Sequence, residues 1–286
     1  NKEKTTMPRE IRLGVVGYGS DPREAGRGRT LLKMVVSHME GIKAAGICDI
    51  NPNAREMAGK DFPGVPVTGD FEKMLAECPM DALLIETPAH LHAHFAIKAL
   101  QSNIHVLSDI PCVRTLEEGW SLWEAQEKSK AFYMTGANAN MPGWIDSALD
   151  LKKKGLLGDP FYVQTAYIHD CRDLWEATPW RKTGIPIMYC THSLGPVLKL
   201  IEENLAWVSC FDTGSHIDGK PGRHDAMSAL FRTPSNMVIR ISVSFINNYP
   251  GCEHRYRIYG TKGYFERTPA YQGHGSAKTY FYSTDL

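Results

Sequence analysis

From Ile11 to Thr135, short apolar runs alternate with longer stretches whose apolar residues recur at helical spacing. That alternation leaves few folds open, because strands separated by helices pair in parallel and need crossover connections. The expected strands are Ile11 to Val16, Ile42 to Cys48, Val65 to Val67, Ala82 to Glu86, Ile104 to Leu107 and Ala131 to Met134. Helices are expected to start near Gly28, Asn53, Asp70, His90 and Thr115. Asp70 precedes the apolar-periodic Phe71, Met74 and Leu75, and Thr115 with Glu118 forms a capping box.

After Met134 the pattern changes. An amphipathic helix, Trp144 to Lys154, ends at Gly155. Phe161 to Ile168, Val208 to Asp212, Met227 to Arg232, Met237 to Phe245, Arg255 to Tyr259 and Gly263 to Arg267 then read as an antiparallel sheet with one covered face. A helix from His192 to Glu202 interrupts it, and Pro234, Ser235 and Asn236 make a hairpin turn. With 286 residues the chain is long enough for two cores. The expected domains are 1–135, doubly wound α/β, and 136–286, α+β with a large, mainly antiparallel open-faced sheet.

Lys plus Arg equals Asp plus Glu at 32 each, so no net field attracts phosphate backbones or anionic lipid, and neither nucleic acid nor membrane is an expected partner. No apolar run approaches the roughly 18 residues of a membrane span. Seven cysteines are scattered without a CxxC pair, which suits a reducing, cytoplasmic setting, although a leader removed ahead of Asn1 would leave no trace.

Directly after the first strand come Gly17, Tyr18, Gly19 and Ser20. A dinucleotide fingerprint places a third glycine three residues after the second, and that slot holds Pro22. Gly28 opens the helix instead, and Asp49, at the end of the second strand, lies 21 residues further on, near the spacing of a ribose-binding acid. An insertion of about six residues between Gly19 and Gly28 reconciles the two counts. Gly17 and Gly19 then let the backbone approach a pyrophosphate, the helix start presents N–H groups, and Asp49 accepts from ribose hydroxyls. A carboxylate there repels a 2′-phosphate, so the Rossmann-type domain is expected to take NAD.

Thr87-Pro88-Ala89-His90-Leu91-His92 follows the fourth strand, and Ser108-Asp109-Ile110-Pro111 follows the fifth. With the glycine loop and the second-domain sheet, these segments resemble the Gfo/Idh/MocA family of NAD(P)-dependent sugar and polyol oxidoreductases, over Ile11 to about Arg267. The resemblance places Thr87, Pro88 and His92 beside the nicotinamide half of the cofactor, and Asp109 and Asn138 on the cofactor side. The family's Glu-Lys-Pro lysine orients substrate and assists proton transfer. Here its slot is Ile110, which carries no proton.

Tyr189-Cys190-Thr191-His192-Ser193-Leu194-Gly195-Pro196 is similar to Tyr-Pro-Thr-His-Gly-Leu-Gly-Pro, found in the family's NAD-dependent glycoside hydrolases typified by alpha-N-acetylgalactosaminidases. That branch oxidises a ring hydroxyl, eliminates the glycosidic oxygen, adds water and reduces the ketone again. The resemblance implies that His192 takes the hydroxyl proton and Tyr189 the carbon-bound proton, with Tyr249 assisting the leaving group. The branch has a glutamate one residue before the sixth-strand asparagine, where this chain has Ala137. Net sugar oxidoreduction, glycoside cleavage and a non-catalytic NAD- and sugar-binding regulator therefore all stay open. The family also implies a homo-oligomer, dimer or tetramer, and a second domain that continues beyond Leu286.

Trp180 and Arg181 read either as a sugar platform with a hydroxyl-binding arginine or as interdomain packing. Asp170, Arg172 and Asp173 read as a turn, and Arg255, Arg257 and Lys262 as a solvated sheet face. His90, His92 and His94 open a helix, where residues two apart diverge, so no metal site is expected.

Overall fold

The computed structural model describes residues 10–19, 26–176, 178–217, 219–248, 253–269 and 277–285. The chain divides into two compact units, residues 1–136 and 137–286.

In the first unit six strands, β1 (Ile11–Val16), β2 (Ile42–Cys48), β3 (Val67–Thr68), β4 (Ala82–Ile85), β5 (His105–Ser108) and β6 (Tyr133–Thr135), form one sheet in the order β3-β2-β1-β4-β5-β6. Every adjacent pair is parallel. Leu13, Val15, Ile47 and Leu84 face one side, with Leu32 of α1 (Arg27–His38) and Ala58 of α2 (Pro52–Asp61). Val16, Leu83, Ile85 and Val106 face the other, with Met74 of α3 (Phe71–Glu77), Leu100 of α4 (His92–Gln101) and Ala125 of α5 (Leu116–Lys128). Both sides of each strand are thus apolar, as a doubly covered sheet requires.

Side chains fix the helix starts. Asn51 accepts from Asn53 N, Asp70 from Glu72 N and Lys73 N, and Thr115 from Glu118 N. The returning half of the expected capping box is displaced by one residue, since Glu118 accepts from Arg114 N at 2.6 Å. The strand order reverses between β1 and β4, which makes their carboxyl ends the topological switch point.

In the second unit the sheet order is β13-β12-β11-β7-β10-β9-β8. The strands are β7 (Pro160–Ile168), β8 (Trp207–Asp212), β9 (Ala226–Arg232), β10 (Val238–Ser244), β11 (Glu253–Gly260), β12 (Gly263–Arg267) and β13 (Thr279–Ser283). The sheet is antiparallel except at its centre, where β7 and β10 run parallel. The β9–β10 hairpin turns at Asn236, with φ +69, and returns β10 alongside β7. Trp144, Ile145 and Ala148 of α6 (Gly143–Lys153) and Leu194, Val197 and Leu200 of α7 (Thr191–Leu200) cover one face, over Val163, Ile239, Ile241, Ile258 and Phe265. The other face carries exposed Phe211, Leu230, Arg240 and Tyr282. Among the described residues no helix is long and apolar enough to cross a membrane.

Candidate functional site

The switch point of the first unit is built by two close backbone approaches and a hydrogen bond to the acid that follows β2. Gly17 leaves β1 with φ +85, and a Cβ there would lie 2.5 Å from Glu86 O. Gly28, in the first turn of α1, would place a Cβ 2.2 Å from Gly17 O, so only glycine lets the helix seat against the turn. Gly19 N donates to Asp49 Oδ2 at 2.8 Å, while Asp49 Oδ1 accepts from Asn51 N at 2.8 Å. A carboxylate has about four lone-pair sites, so Asp49 keeps capacity for ribose hydroxyls while it shapes the loop.

Among the described residues no side chain caps α1 and no acid lies in its first turn, so no side chain of that helix competes with an anion at its N-terminus. Thr87 Oγ1 is buried at the end of β4 with no hydrogen-bond partner among the described residues. The glycine cradle, the uncapped helix start, the acid on β2 and this unpartnered hydroxyl fit a dinucleotide.

Two residues expected at the cofactor are turned elsewhere. The Tyr18 side chain is fully buried and its hydroxyl donates to Asp61 Oδ2 at 2.7 Å, which leaves only its main chain in the turn. His92 is 1% exposed, with Nε2 2.7 Å from Thr87 O and Nδ1 2.8 Å from Pro111 O. Both ring nitrogens are engaged by main chain, so His92 clamps the Thr87 and Pro111 segments together instead of facing the cofactor. Ser20 lies outside the described residues, and Pro88 precedes the short helical turn Ala89–Leu91.

Ile110 is buried at 3% exposure, so the slot that resembles the family lysine belongs to the core. The nearby charge comes from residues the motifs do not flag. Arg27 Nε stands 2.9 Å from Glu86 Oε2, and Arg27 Nη2 stands 3.3 Å from Asp109 Oδ1. Burial, and then the Asp109 charge, push the Glu86 carboxyl up to about 8 against the pull of Arg27.

In the second unit Tyr189 ends a short helical turn, Pro186–Tyr189, and His192 lies in the first turn of α7. Their ring centroids are 6.0 Å apart at 89°. Tyr167, at the end of β7, lies edge-on to His192 at 4.9 Å and 6.2 Å from Tyr189, while Phe245 stands 4.8 Å from Tyr189. His254 stacks on Tyr167 at 4.4 Å, and its Nε2 is buried without a partner among the described residues. Burial, followed by the charges of His169 and Arg267, pushes His254 down to about 4; burial also lowers His169.

Tyr167, His169, His254 and Phe245 were not legible as site residues. The available signal was strand alternation, which puts Tyr167 on the same side of β7 as buried Val163 and Thr165. Arg181 places its guanidinium 4.6 Å from the Trp180 ring centre. Asn138 is exposed at the start of the short turn Asn138–Asn140, and Tyr249 lies outside the described residues. Asp170 and Arg172 form an ion pair within their turn, and Arg172 Nη2 donates to Asn247 O at 2.8 Å.

Residues 11–137 match the oxidoreductase family's NAD-binding Rossmann fold, and residues 146–266 match the GFO/IDH/MocA C-terminal domain. The chain belongs to the Gfo/Idh/MocA family. A glycosyl hydrolase family 109 protein of Saccharopolyspora erythraea is 26% identical over 298 residues, covering 91% of this chain and 63% of that protein. The chain spans less than two thirds of the length of such Gfo/Idh/MocA relatives.

The fold is shared with the WlbA dehydrogenase of Bordetella pertussis, solved with NADH and UDP-GlcNAcA, at TM-score 0.81 and 22% identity over 91% of this chain and 74% of that one. It is shared too with scyllo-inositol dehydrogenase of Lactobacillus casei, solved with NAD(H) and scyllo-inositol, at TM-score 0.78 and 17% identity over 90% of this chain and 76% of that one.

Proposed function

We propose that this Gfo/Idh/MocA chain uses NAD for hydride transfer at a ring carbon of a carbohydrate and, through it, cleaves a glycoside. The observation that carries this reading is the convergence of Tyr189, His192 and Tyr167 in a chain whose lysine slot is a buried Ile110. A buried aliphatic group neither accepts a hydroxyl proton nor holds a substrate, so the proton chemistry falls to the second-unit cluster. The family 109 relatives support the cleavage option.

Gly17, Gly19, Gly28, Asp49, Thr87 and Asp109 would hold NAD, which would supply the hydride acceptor and donor for this chemistry. His192 takes the proton of the oxidised hydroxyl. Tyr189 removes the proton from the carbon beside the new ketone, the glycosidic C–O bond breaks, and the departing oxygen is protonated. Water then adds to the unsaturated ketone, which is reduced. Trp180 and Arg181 serve as the sugar platform and hydroxyl donor, Tyr249 assists the leaving group and Asn138 contributes to cofactor binding. The open face of the second-unit sheet pairs with a second copy, and the free thiols of the six described cysteines suit the cytoplasm.

Net oxidation of a free sugar is the second reading, favoured by the fold shared with the two dehydrogenases. Incubation with aryl glycosides and a panel of free sugars separates the readings. Aglycone release without net NADH supports cleavage, and stoichiometric NADH without aglycone overturns it in favour of the dehydrogenase. NAD binding with neither product would leave a sugar-binding regulator.

A further inference from the structure

Glu86 follows β4 at the point where the strand order turns back, and its side chain is only 4% exposed. A buried carboxylate normally needs aligned donors to stay charged. Arg27 Nε stands 2.9 Å from Glu86 Oε2 and pulls that carboxyl towards its charged form, and burial opposes it. Arg27 is also shared with Asp109. One guanidinium therefore serves two carboxylates, and burial and Asp109 together favour the neutral form of Glu86. Among the described residues the charged groups facing Glu86 are Arg27 from α1 and Asp109 from the end of β5. Tyr18, in the adjoining turn, is engaged by Asp61.

Arg27 is the first residue of α1, its side chain is half-exposed, and among the described residues the helix it opens has no side-chain cap. A pyrophosphate seated on that helix start and on the glycine turn brings further negative charge to the same guanidinium. With several anionic groups around one cation, the most buried carboxylate is the one that loses its charge.

We propose that Glu86 is a positioning residue that takes up a proton when NAD binds, leaving Arg27 to the pyrophosphate and Asp109. This rests on the NAD reading above. The proton comes from solvent, and no bond to the cofactor is made or broken. Since Glu86 is charged more readily in the free protein than in the complex, affinity is highest at low pH. It falls by at most about tenfold per pH unit once pH exceeds the Glu86 pKa of the free protein, and levels off above that of the complex.

The test measures NADH binding by nicotinamide fluorescence from about pH 6.5 to 9.5, with calorimetry near pH 8.5 in two buffers of different ionisation heat. The expected result is that up to about one proton is taken up per NADH in the wild type. Affinity should weaken across the alkaline range, lose that dependence in Glu86→Gln, and begin to weaken at lower pH in Asp109→Asn. An equal pH dependence in wild type and Glu86→Gln overturns the proposal, as does the absence of proton uptake by the wild type, which needs no variant to fold. Failure of NADH to bind at any pH overturns the NAD reading itself, and this proposal with it.

Discussion

The Tyr256 hydroxyl donates to the main-chain carbonyl of His192, the acceptor that Pro196 deprives of its helical partner. In an α-helix that carbonyl would receive the N–H four residues on, and proline has none. Tyr256 is buried at 3% exposure, with Trp144 against its ring at 4.3 Å, so β11 and α6 together hold the first turn of α7 where His192 stands. Tyr256→Phe removes this hydrogen bond and is expected to cost about 0.5–1.5 kcal/mol. Urea unfolding with an unchanged midpoint would show that the bond contributes nothing.

Gly28→Ala drives a Cβ into Gly17 O at 2.2 Å, backbone against backbone, so neither side can rotate away. The helix start must withdraw from the turn, and NADH affinity is expected to fall at least about tenfold. A fluorescence titration matching the wild type would remove this packing from the cofactor site.

Asp61 accepts from Tyr18 Oη at 2.7 Å, Arg29 Nε at 2.5 Å and Lys33 Nζ at 2.9 Å. Arg29 first, with Tyr18 and Lys33, holds its carboxyl well below the usual carboxylate range. A depressed folded pKa means this stabilisation is full above about pH 4 and is lost as pH falls further. Asp61→Asn should destabilise the chain at neutral pH and flatten the acid limb of its stability curve. An acid limb as steep as the wild type's would assign that limb to other groups.

His254 titrates near pH 4 in the folded chain, below the roughly 6.5 of an unfolded histidine. The unfolded state therefore binds the proton first, and stability declines as pH falls from about 6.5 towards 4, by up to about 1.4 kcal/mol per unit. His254→Phe keeps a ring against Tyr167 and should remove that decline. Denaturation midpoints that still drop across this interval would refute the assignment.

Phe211 is 74% exposed and Leu230 48% exposed on the open sheet face. If that face joins two copies, Phe211→Asp with Leu230→Asp should yield monomers in light scattering while the secondary structure persists. A monomeric wild type, or an unchanged oligomer in the variant, would sink the pairing.

Much of the first unit was legible because its signals are local. β1 and β2 match their expected bounds, Asp70 and Thr115 cap the helices they announce, and Gly17, Gly28 and Asp49 come together as their spacing requires. Tyr18 and His92 show where a motif falls short. Position in a motif does not state which way a side chain turns, and both rings turn inward to partners 43 and 19 residues away.

The residues determined by themselves the alternation of strands and helices, the glycine turn, and the Tyr189 and His192 pair at a helix start, since each depends on neighbours a few positions apart. Tertiary structure alone decided that β7 and β10 run parallel, that Arg27 meets Glu86 and Asp109, and that Tyr256 completes the helix Pro196 interrupts. These contacts join segments distant in sequence, and burial selects them: a polar group taken from water must find a partner wherever the packed chain places one.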